Sequence, residues 1–466
     1  MPTFAPAQLA TWTGGRWTAQ PKAELTGFTM DTRQLRAGQV FVALKTDKRD
    51  GHEFLAAAQA AGASAALVAT PNAALTLPQL VVADPLVAFQ AIAREHRRAF
   101  RGPVIGISGS AGKTSTKNLL ALLLGGEEGG VLSTEGNLNN HIGVPLTLTR
   151  LDATKHGFAV VEAGISGPGE MKTLAAMIEP DIAIITIVAA AHTAELGGLE
   201  GVAREKAVLP ASIRSAGVAV FPKSATQFTA FRDMFVNQLV LERSDVLRPA
   251  TQPRHTIHFN VIQRPTETVI VIAYGPPPPA MFKLPRVTDG MAQNAALCLT
   301  TALRLGIAPD VLQKRLVTWT AAPLRGEIRR EDGRLLYLDC YNANPASMSD
   351  ALATFHAIAP ANEPRLYVLG CMEELGEDSA ALHRALGRQV NLRDGDRLMV
   401  IGTQANDLCA GVLEQGDFSR QIQIVSTIET IAGVLAEWRG AVFMKGSRRY
   451  QLERALGTIS QEVAHA

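Results

Sequence analysis

Short apolar runs, each long enough for one buried strand, recur along the first hundred residues of the chain. Three of them, at 40–44, 65–68 and 79–82, have the length and composition of strands. An alanine-rich stretch at 52–61 favours a helix, because alanine has the highest helix propensity. The pattern therefore predicts a small α/β unit at 1–100.

A second pattern begins with an apolar run at 104–107, a glycine-rich turn and a helical segment at 113–124. Continuous apolar runs follow at 158–161 and 182–187, as is typical of central parallel strands that are covered on both faces. Further along, the sequence predicts a proline-rich loop at 275–279 and a helix at 291–305.

In the last third of the chain, strand-like runs alternate with helical segments, the runs being 335–338, 366–369, 398–401, 422–425 and 442–444. Such alternation is the signature of a parallel, doubly wound sheet. A chain of 466 residues also fits three domains of about 150 residues each. We therefore predict an α/β protein with domains at 1–100, 101–322 and 323–466, the central one built on a mostly parallel sheet.

Composition and charge restrict the partners. Hydrophobic residues make up 47% and charged residues 19%, which is typical of a globular protein with buried cores. The formal net charge is only +2, and no long Lys/Arg run is present, which argues against nucleic acid as the main partner. We interpret the cluster Arg94, Arg97 and Arg98 as the solvated face of a helix.

The sequence also predicts the compartment. Residues 1–17 lack the basic start and apolar core of a signal peptide, and the longest apolar stretch, 182–191, is too short to span a bilayer. The four cysteines are Cys298, Cys340, Cys371 and Cys409. They are scattered and form no CxxC pair, which argues against a zinc site and against a disulfide framework. We predict a cytoplasmic protein that does not insert into membranes.

The sequence SGSAGKTST at 108–116 has the features of a phosphate-binding loop of the shorter G-x-x-G-K-T form. Gly109 and Gly112 let backbone N–H groups approach phosphate oxygens without interference from a Cβ atom. Lys113 can reach the β- and γ-phosphates, and the Thr114 hydroxyl can bind Mg²⁺. The predicted nucleotide-binding residues of this loop are Ser108, Gly109, Ser110, Ala111, Gly112, Lys113 and Thr114.

Two residues downstream of the loop are candidates for metal binding. Glu162 follows the run at 158–161 and His192 follows the run at 182–187, so both fall at the carboxyl edge of a parallel sheet, where ligands bind. A carboxylate there can share Mg²⁺ with nucleotide phosphates, although a solvated loop carboxylate is an equal alternative. A lone loop histidine usually has no special role, but the position of His192 at the same edge as the phosphate loop favours a function, such as binding a second metal ion. Lys206, taken alone, has the pattern of an ordinary surface lysine.

Longer motifs resemble those of the Mur ligases and cover nearly the whole chain. The matching segments are TMDTR at 29–33, FVALK at 41–45, DGHEF at 50–54, GISGSAGKTSTK at 106–117, TEGNLNN at 134–140, IGVP at 142–145, YNANPASM at 341–348, LGCMEELG at 369–376 and KGSR at 445–448. The segment at 341–348 discriminates best, because sister ligases have histidine- or lysine-containing segments there. It is typical of the branch that adds D-alanyl-D-alanine.

The resemblance implies a UDP-substrate-binding domain, a central ATPase domain and a C-terminal Rossmann-like domain. It implies that Thr114, Glu162, His192 and a Lys206 carbamylated by CO₂ hold two Mg²⁺ ions. Lys113, Glu162, His192 and Lys206 would be the catalytic residues. The ATP site would also include Asn294, Arg325 and Asn342. The substrate-binding residues would be Thr32, Arg33, Lys45, Asp50, Thr134, Asn137, Asn139, Asn140, Asn344 and Ser347.

The implied reaction joins two small molecules. ATP would phosphorylate the terminal carboxylate of UDP-N-acetylmuramoyl-tripeptide, and the amine of D-alanyl-D-alanine would then displace phosphate from the acyl phosphate. We expect the enzyme to act as a monomer. Two alternatives stay open at this point: a sister ligase that adds the third-position diamino acid, and a non-catalytic nucleotide-binding homologue.

Some positions depart from the commonest pattern of the family. Gly290 stands where a histidine usually precedes the adenine-side helix, and Cys371 replaces a frequent aspartate. Ser166 and Gly167 occupy a segment that is often Asn-His. Because the phosphate loop and the candidate metal-binding residues are intact, we expect catalysis to survive these departures.

Overall fold

The computed structural model of the chain describes residues 2–248, 255–275 and 277–457, which are built on three principal β-sheets. The first, or N-terminal sheet, has the strand order β1-β7-β6-β3-β2 and is parallel except for β1. Its strands are β1 Arg16–Trp17, β2 Phe28–Thr29, β3 Val40–Val42, β6 Ala65–Val68 and β7 Gln79–Val81, and a separate hairpin joins β4 Lys45–Thr46 to β5 Arg49–Asp50. Its helices are α1 Pro6–Thr13, α2 Leu55–Ala60 and α3 Pro85–Ala99.

The central sheet has nine strands in the order β16-β15-β14-β13-β12-β11-β8-β10-β9. The strands are β8 Val104–Ser108, β9 Val131–Ser133, β10 Phe158–Glu162, β11 Ile182–Ile185, β12 Val218–Pro222, β13 Gln238–Arg243, β14 His255–Gln263, β15 Glu267–Ile272 and β16 Ala280–Pro285. Those from β8 to β14 are parallel, and the last two are antiparallel.

Helices cover both faces of the central sheet. They are α4 Lys113–Leu124, α5 Gly143–Leu148, α6 Glu170–Ile178, α7 Thr193–Leu196, α8 Gly198–Ala211, α9 Thr229–Arg232, α10 Asp289–Arg304 and α11 Pro309–Leu316. Along β8, Ile105 and Ile107 pack with α4 and α10, whereas Val104 packs with α5, α6 and α8 on the opposite face. Because successive side chains of a strand point to opposite faces, burial on both sides explains the continuous apolar runs in the sequence.

The C-terminal sheet has the order β17-β18-β22-β19-β20-β21, and all its strands except β17 are parallel. The strands are β17 Glu327–Glu331, β18 Arg334–Asp339, β19 Arg365–Gly370, β20 Arg397–Ile401, β21 Ile422–Val425 and β22 Ala441–Lys445. The helices are α12 Pro345–Ile358, α13 Ser379–Gly387, α14 Ala405–Leu413 and α15 Ile428–Glu437. The first three pack on one face and α15 on the other, which is a doubly wound arrangement.

The α/β fold class predicted from the sequence is confirmed, and the helix predicted at 113–124 has these bounds. The helix predicted at 52–61 instead begins with a 3-10 turn, Gly51–Phe54, because the Asp50 carboxylate accepts a hydrogen bond from the backbone of His52. Within the loop predicted at 275–279, Pro276 lies outside the described residues, and the described positions have no helix or strand. The domain boundaries at 100 and 322 stay predictions.

One of the arginines predicted to be solvated is buried, so that prediction is wrong for Arg97. Its side chain is 0% exposed and donates to the carbonyl oxygens of Ile178 (2.8 Å) and Glu179 (2.7 Å) and to the Asp181 carboxylate (2.7 Å). A buried guanidinium is tolerated only when its donors are bonded in this way. Arg97 therefore fastens α3 to the central sheet.

The edge strand β16 is covered by a side chain. The Gln313 amide accepts from the backbone N–H of Lys283 (2.8 Å) and donates to its carbonyl oxygen (2.9 Å), as a neighbouring strand would. Among the described residues, no helix has both the length and the apolar character needed to cross a bilayer.

Candidate active site

The phosphate loop joins the end of β8 to the start of α4, and its two glycines are required by close packing. Gly109 has φ +148° and Gly112 has φ +77°. A Cβ atom would lie 1.9 Å from the Thr186 hydroxyl at the first position and 2.3 Å from the Asn294 amide nitrogen at the second. Both distances are shorter than a non-bonded contact, and both φ angles are ones that L side chains rarely adopt, so glycine is favoured at both positions.

The loop is fixed by partners from three directions. The Ser108 hydroxyl donates to the carbonyl of Ala163 (2.8 Å), and the Ser110 hydroxyl donates to that of Ala189 (2.7 Å). From the C-terminal sheet, the Asn344 amide donates to the carbonyl of Ser110 (3.2 Å). These contacts hold the loop in one shape, with its backbone N–H groups beside the N-terminus of α4, where anions bind.

Glu162 ends β10 beside this loop and is only 1% exposed, so the alternative of a solvated loop carboxylate is wrong. Its Oε1 accepts from the Thr114 hydroxyl (3.2 Å) and the Asn139 amide (2.8 Å). Its Oε2 is buried and has no hydrogen-bond partner in the described part of the chain. Because an unpaired buried carboxylate oxygen is costly, this atom points to a ligand.

Positive charge is concentrated around Glu162. Burial lowers the pKa of Lys113 and of Lys117, Glu162 opposes that shift, and the charge of Arg325 lowers both pKa values further. The Lys113 ammonium donates to the carbonyl of Gly109 (2.9 Å). Three cations therefore lie near one carboxylate.

A cavity of about 480 Å³ opens between this loop and the C-terminal sheet, a volume typical of small-molecule sites. The predicted site residues that line it are Ser110, Ala111, Gly112, Lys113, Thr114, Asn137, Asn139, Glu162, Asn294, Arg325, Asn342, Asn344 and Ser347. Ser108 and Gly109 lie directly beneath this lining, in the base of the loop.

Three other carboxylates line the cavity, and each is already engaged. Asp289 pairs with Arg243 (3.1 Å), and Asp339 pairs with Lys445 (2.5 Å). Asp350 accepts from the backbone N–H of Gly290 (3.0 Å), and its Oδ2 fills the space of a side chain at that glycine, 2.6 Å from its Cβ position. The excess positive charge at the phosphate loop is therefore not balanced by these groups.

The sequence prediction missed Asp339 and Lys445, although a signal for them was present. Asp339 ends β18 and Lys445 ends β22, and the two residues are paired in register on adjacent parallel strands. Charged residues at the carboxyl ends of two predicted parallel strands are candidates for a site by the same reasoning that selected Glu162. Lys445 is 1% exposed and also donates to the carbonyl of Asn342 (3.2 Å).

Two predicted substrate residues act on each other within the C-terminal unit. The Asn344 side chain accepts from the backbone N–H of Ser347 (2.9 Å), and the backbone N–H of Asn344 donates to the Ser347 hydroxyl (3.1 Å). This reciprocal capping box starts α12. It aims the remaining Asn344 amide donor at the phosphate loop.

His192 and Lys206 do not line the cavity. The His192 Nδ1 lies 2.6 Å from the Glu374 carboxylate, which belongs to the loop after β19. Burial lowers the pKa of His192, Glu374 opposes this, and the charges of Lys113 and Lys206 lower it further. The charges of Lys113 and Lys206 therefore reach His192, although only Glu374 is in direct contact with it.

Lys206 is not the surface residue that the pattern suggested. It is 1% exposed, and no hydrogen bond or ion pair engages its ammonium among the described residues. Burial, together with the charge of Lys113, holds the pKa of Lys206 well below its usual range.

The remaining predicted substrate residues lie outside the cavity. Arg33 is exposed and pairs with Asp31 (2.6 Å), next to Thr32 in the 3-10 turn Thr32–Gln34, and Lys45 lies 3.9 Å from Asp50 across the β4–β5 hairpin.

Thr134 and Asn140 have local partners instead of a place in the cavity. The Thr134 hydroxyl accepts from the backbone N–H of Glu162 (3.0 Å), and the Asn140 side chain accepts from that of Gly143 (2.9 Å). Thr134 thus positions Glu162.

A phosphate loop at the carboxyl edge of a parallel sheet, closed by a second α/β unit, defines a multidomain phosphate-loop protein. A family model of the Mur ligase middle domain matches residues 107–298, and a model of the Mur ligase glutamate ligase domain matches residues 324–448. The UDP-N-acetylmuramoyl-tripeptide–D-alanyl-D-alanine ligase of Escherichia coli (strain K12) is 30% identical over 447 residues, with 94% of each chain covered. The chain belongs to the Mur ligase family.

Solved structures agree with this assignment. The crystal structure of MurF from Acinetobacter baumannii superposes with a TM-score of 0.84 at 26% identity and covers 98% of both chains. The MurF ligase of Thermotoga maritima in complex with ADP superposes with a TM-score of 0.77 at 25% identity, covering 93% of this chain and 96% of that one. The predicted family, fold class and ligase activity are thereby confirmed.

Proposed function

We propose that the protein joins D-alanyl-D-alanine to UDP-N-acetylmuramoyl-tripeptide and converts ATP to ADP and phosphate. The relative from E. coli carries the name of this activity and aligns over nearly the whole length of both chains. The observation that carries the proposal is the excess of positive charge at a fixed phosphate loop, where Lys113, Arg325 and Glu162 line one cavity and the charges of Glu162 and Arg325 act on both Lys113 and Lys117. A triphosphate would supply the missing negative charge.

The chain's own groups account for the nucleotide end of the cavity. The backbone N–H groups of residues 111–114, at the N-terminus of α4, would bind the β- and γ-phosphates, whereas the N–H of Ser110 donates to the carbonyl of Ile187 (2.8 Å). Lys113 would move from the Gly109 carbonyl to a phosphate oxygen. Asn294, which packs on Gly112, and Asn342 would contact the rest of the nucleotide.

The residues beside the loop suit Mg²⁺. The unpartnered Oε2 of Glu162 and the Thr114 hydroxyl are hard oxygen donors, as Mg²⁺ prefers. The described residues contain no cluster of three His, Cys, Asp or Glu side chains, so phosphate oxygens and water would complete the shell. Bound Mg²⁺ would offset charge on the transferring phosphoryl group. A second ion at His192 and Lys206 stays a prediction.

The proposed chemistry needs positioning more than a protein nucleophile. A carboxylate oxygen of the tripeptide attacks the γ-phosphorus, the bond to ADP breaks, and an acyl phosphate forms. The amine of D-alanyl-D-alanine then attacks the acyl carbon, phosphate leaves, and the amine loses a proton. Lys113 and Arg325 would stabilise the phosphoryl charge, and the C-terminal unit, fastened to the loop by Asn344, would exclude water.

We also propose that Lys206 is carbamylated. Its low pKa and lack of partners favour the neutral amine, whose nitrogen adds to CO₂ and loses a proton to give an anion near the Lys113 cation. A Lys206→Ala variant should lose most activity and recover part of it with added acetate. The exposed Lys155→Ala change serves as the control. Full activity of Lys206→Ala without acetate would exclude the carbamate.

The direct test is product mass spectrometry with UDP-N-acetylmuramoyl-tripeptide, D-alanyl-D-alanine, ATP and Mg²⁺. The expected products are the UDP-linked pentapeptide, ADP and phosphate in equal amounts, and Lys113→Ala should reduce their rate by about 10²-fold or more. Product formation only with a diamino acid would assign the sister ligase reaction. If no ADP forms with any amine, the protein is the non-catalytic nucleotide-binding homologue of the second alternative. The monomeric state and the cytoplasmic location stay predictions.

A further inference from the structure

The guanidinium of Arg325 is held in an unusual way. It lines the cavity, and its Cζ lies 3.7 Å from the centroid of the Tyr341 ring, which lines the same cavity. Among the described residues, no hydrogen bond or ion pair engages the Arg325 side chain. In the described part of the chain, the guanidinium is therefore engaged by the face of an aromatic ring and not by a carboxylate.

Two other arginines of the C-terminal unit that contact a tyrosine ring are also bound by carboxylates. Arg365 is held by Asp396 at 2.6 Å, and Arg448 is paired with Glu453. A carboxylate neutralises the guanidinium and occupies its N–H donors. A ring does neither, because it attracts the cation through its face and leaves the donors, which lie at the edge of the guanidinium plane, free.

Arg325 lines the same cavity as Gly112 and Lys113 of the phosphate loop, and its charge lowers the pKa of Lys113 and of Lys117. A planar guanidinium with unoccupied donors suits phosphoryl oxygens, which it can bind in pairs. The ligand that fits is the terminal phosphoryl group of a nucleoside triphosphate, because Lys113 serves that same end of the nucleotide.

Tyr341 is tied by its backbone to the segment that carries Arg325. Its backbone N–H donates to the carbonyl of Leu324 (3.2 Å), immediately before Arg325 in the chain. A second cation, Arg448, has its Cζ 5.9 Å from the ring centroid. Tyr341 is thus held beside the start of the C-terminal unit, and two cations, Arg325 and Arg448, lie near its ring.

We propose that Tyr341 is a positioning residue, whose ring orients Arg325 toward the terminal phosphoryl group without using the N–H donors that bind it. This inference rests on the proposed function, because it assumes that ATP occupies the cavity. The proposed role belongs to the aromatic ring of Tyr341, and the hydroxyl is not needed for it.

The test compares ring-retaining and ring-free variants by calorimetric titration with a non-hydrolysable ATP analogue and with ADP. Tyr341→Phe should keep most of the affinity for both. Tyr341→Leu should weaken binding of the ATP analogue about tenfold, the size expected for a cation–π contact of intermediate strength, and should weaken ADP binding less. Tyr341→Met replaces Tyr341→Leu if thermal unfolding shows that the leucine variant is not folded.

A double-mutant cycle separates positioning from general packing. Arg325→Ala alone should weaken binding of the ATP analogue. Adding Tyr341→Leu to Arg325→Ala should change the affinity by less than about twofold, because no guanidinium is left for the ring to orient. The inference would be overturned if the affinity losses of Arg325→Ala and Tyr341→Leu multiplied in the double variant. It would also be overturned if Tyr341→Phe and Tyr341→Leu lost equal affinity for the ATP analogue. If the wild type binds neither nucleotide, the proposed function fails; if it binds both and Tyr341→Leu does too, only the role of Tyr341 fails.

Discussion

Asn344 offers a way to separate the stability of α12 from the docking of the C-terminal unit on the phosphate loop. Its Oδ1 caps the helix through the backbone N–H of Ser347, and its Nδ2 donates to the carbonyl of Ser110. Asn344→Ala removes both contacts. Asn344→Asp keeps a good capping acceptor but replaces the donor with a carboxylate oxygen that faces the Ser110 carbonyl.

The magnitudes follow from these two contacts. Loss of the cap costs about 1 kcal/mol, which lowers the Tm of a unit of about 150 residues by roughly 2–4 °C. Loss of a hydrogen bond to the loop costs about 1 kcal/mol, or about fivefold in affinity for the ATP analogue. Asn344→Ala should therefore show both effects, and Asn344→Asp should show the loss of affinity with little change in Tm.

Calorimetric titration and thermal unfolding of the three proteins provide the measurements. Wild-type affinity in Asn344→Asp would refute the reasoning that the contact with Ser110 holds the loop for nucleotide. Equal Tm losses in both variants would show that the cap is not what Asn344 contributes to stability.

Two further predictions concern a buried carboxylate, Glu162, and a half-buried histidine, His356. Glu162→Gln should weaken the response to Mg²⁺ and lower turnover by about 10²-fold, whereas the exposed Glu128→Gln should match the wild type in a Mg²⁺ titration of ADP release. Burial, reinforced by the charge of Arg365, lowers the pKa of His356 to about 4, so the stability it contributes is present above about pH 6.5 and is lost as the pH falls toward 4. The Tm should drop between pH 7 and pH 5, and it should drop less in His356→Leu; parallel Tm curves would contradict this assignment.

The centre of the fold could be predicted because its signals are local. The strands β8 and β10 are buried on both faces and are therefore continuously apolar, and their ends place the phosphate loop and Glu162 at one edge. The run Val218–Pro222 carries the same signal and could have been predicted as β12. The edge strand Ala280–Pro285 could not be predicted as firmly, because its buried and exposed positions alternate over only six residues.

The rest of the site depends on contacts between residues far apart in the chain. His192 meets Glu374 only because the loop after β19 comes back to the central sheet, and no spacing in the sequence encodes that approach. Lys206 shows a different limit. A lysine on a helix is usually solvated, so its burial follows from the packing of α8 against the sheet and not from periodicity.

The side-chain amide of Gln313 forms hydrogen bonds with the backbone N–H and carbonyl of Lys283 on β16, and these bonds affect how the protein behaves at high concentration. A nine-stranded sheet with an open flank would offer a template on which strands of other molecules could assemble. Here one side chain from the neighbouring helix α11 satisfies backbone hydrogen-bonding groups on the edge strand. Those groups are then not available to a strand of another molecule, which disfavours self-association through this edge.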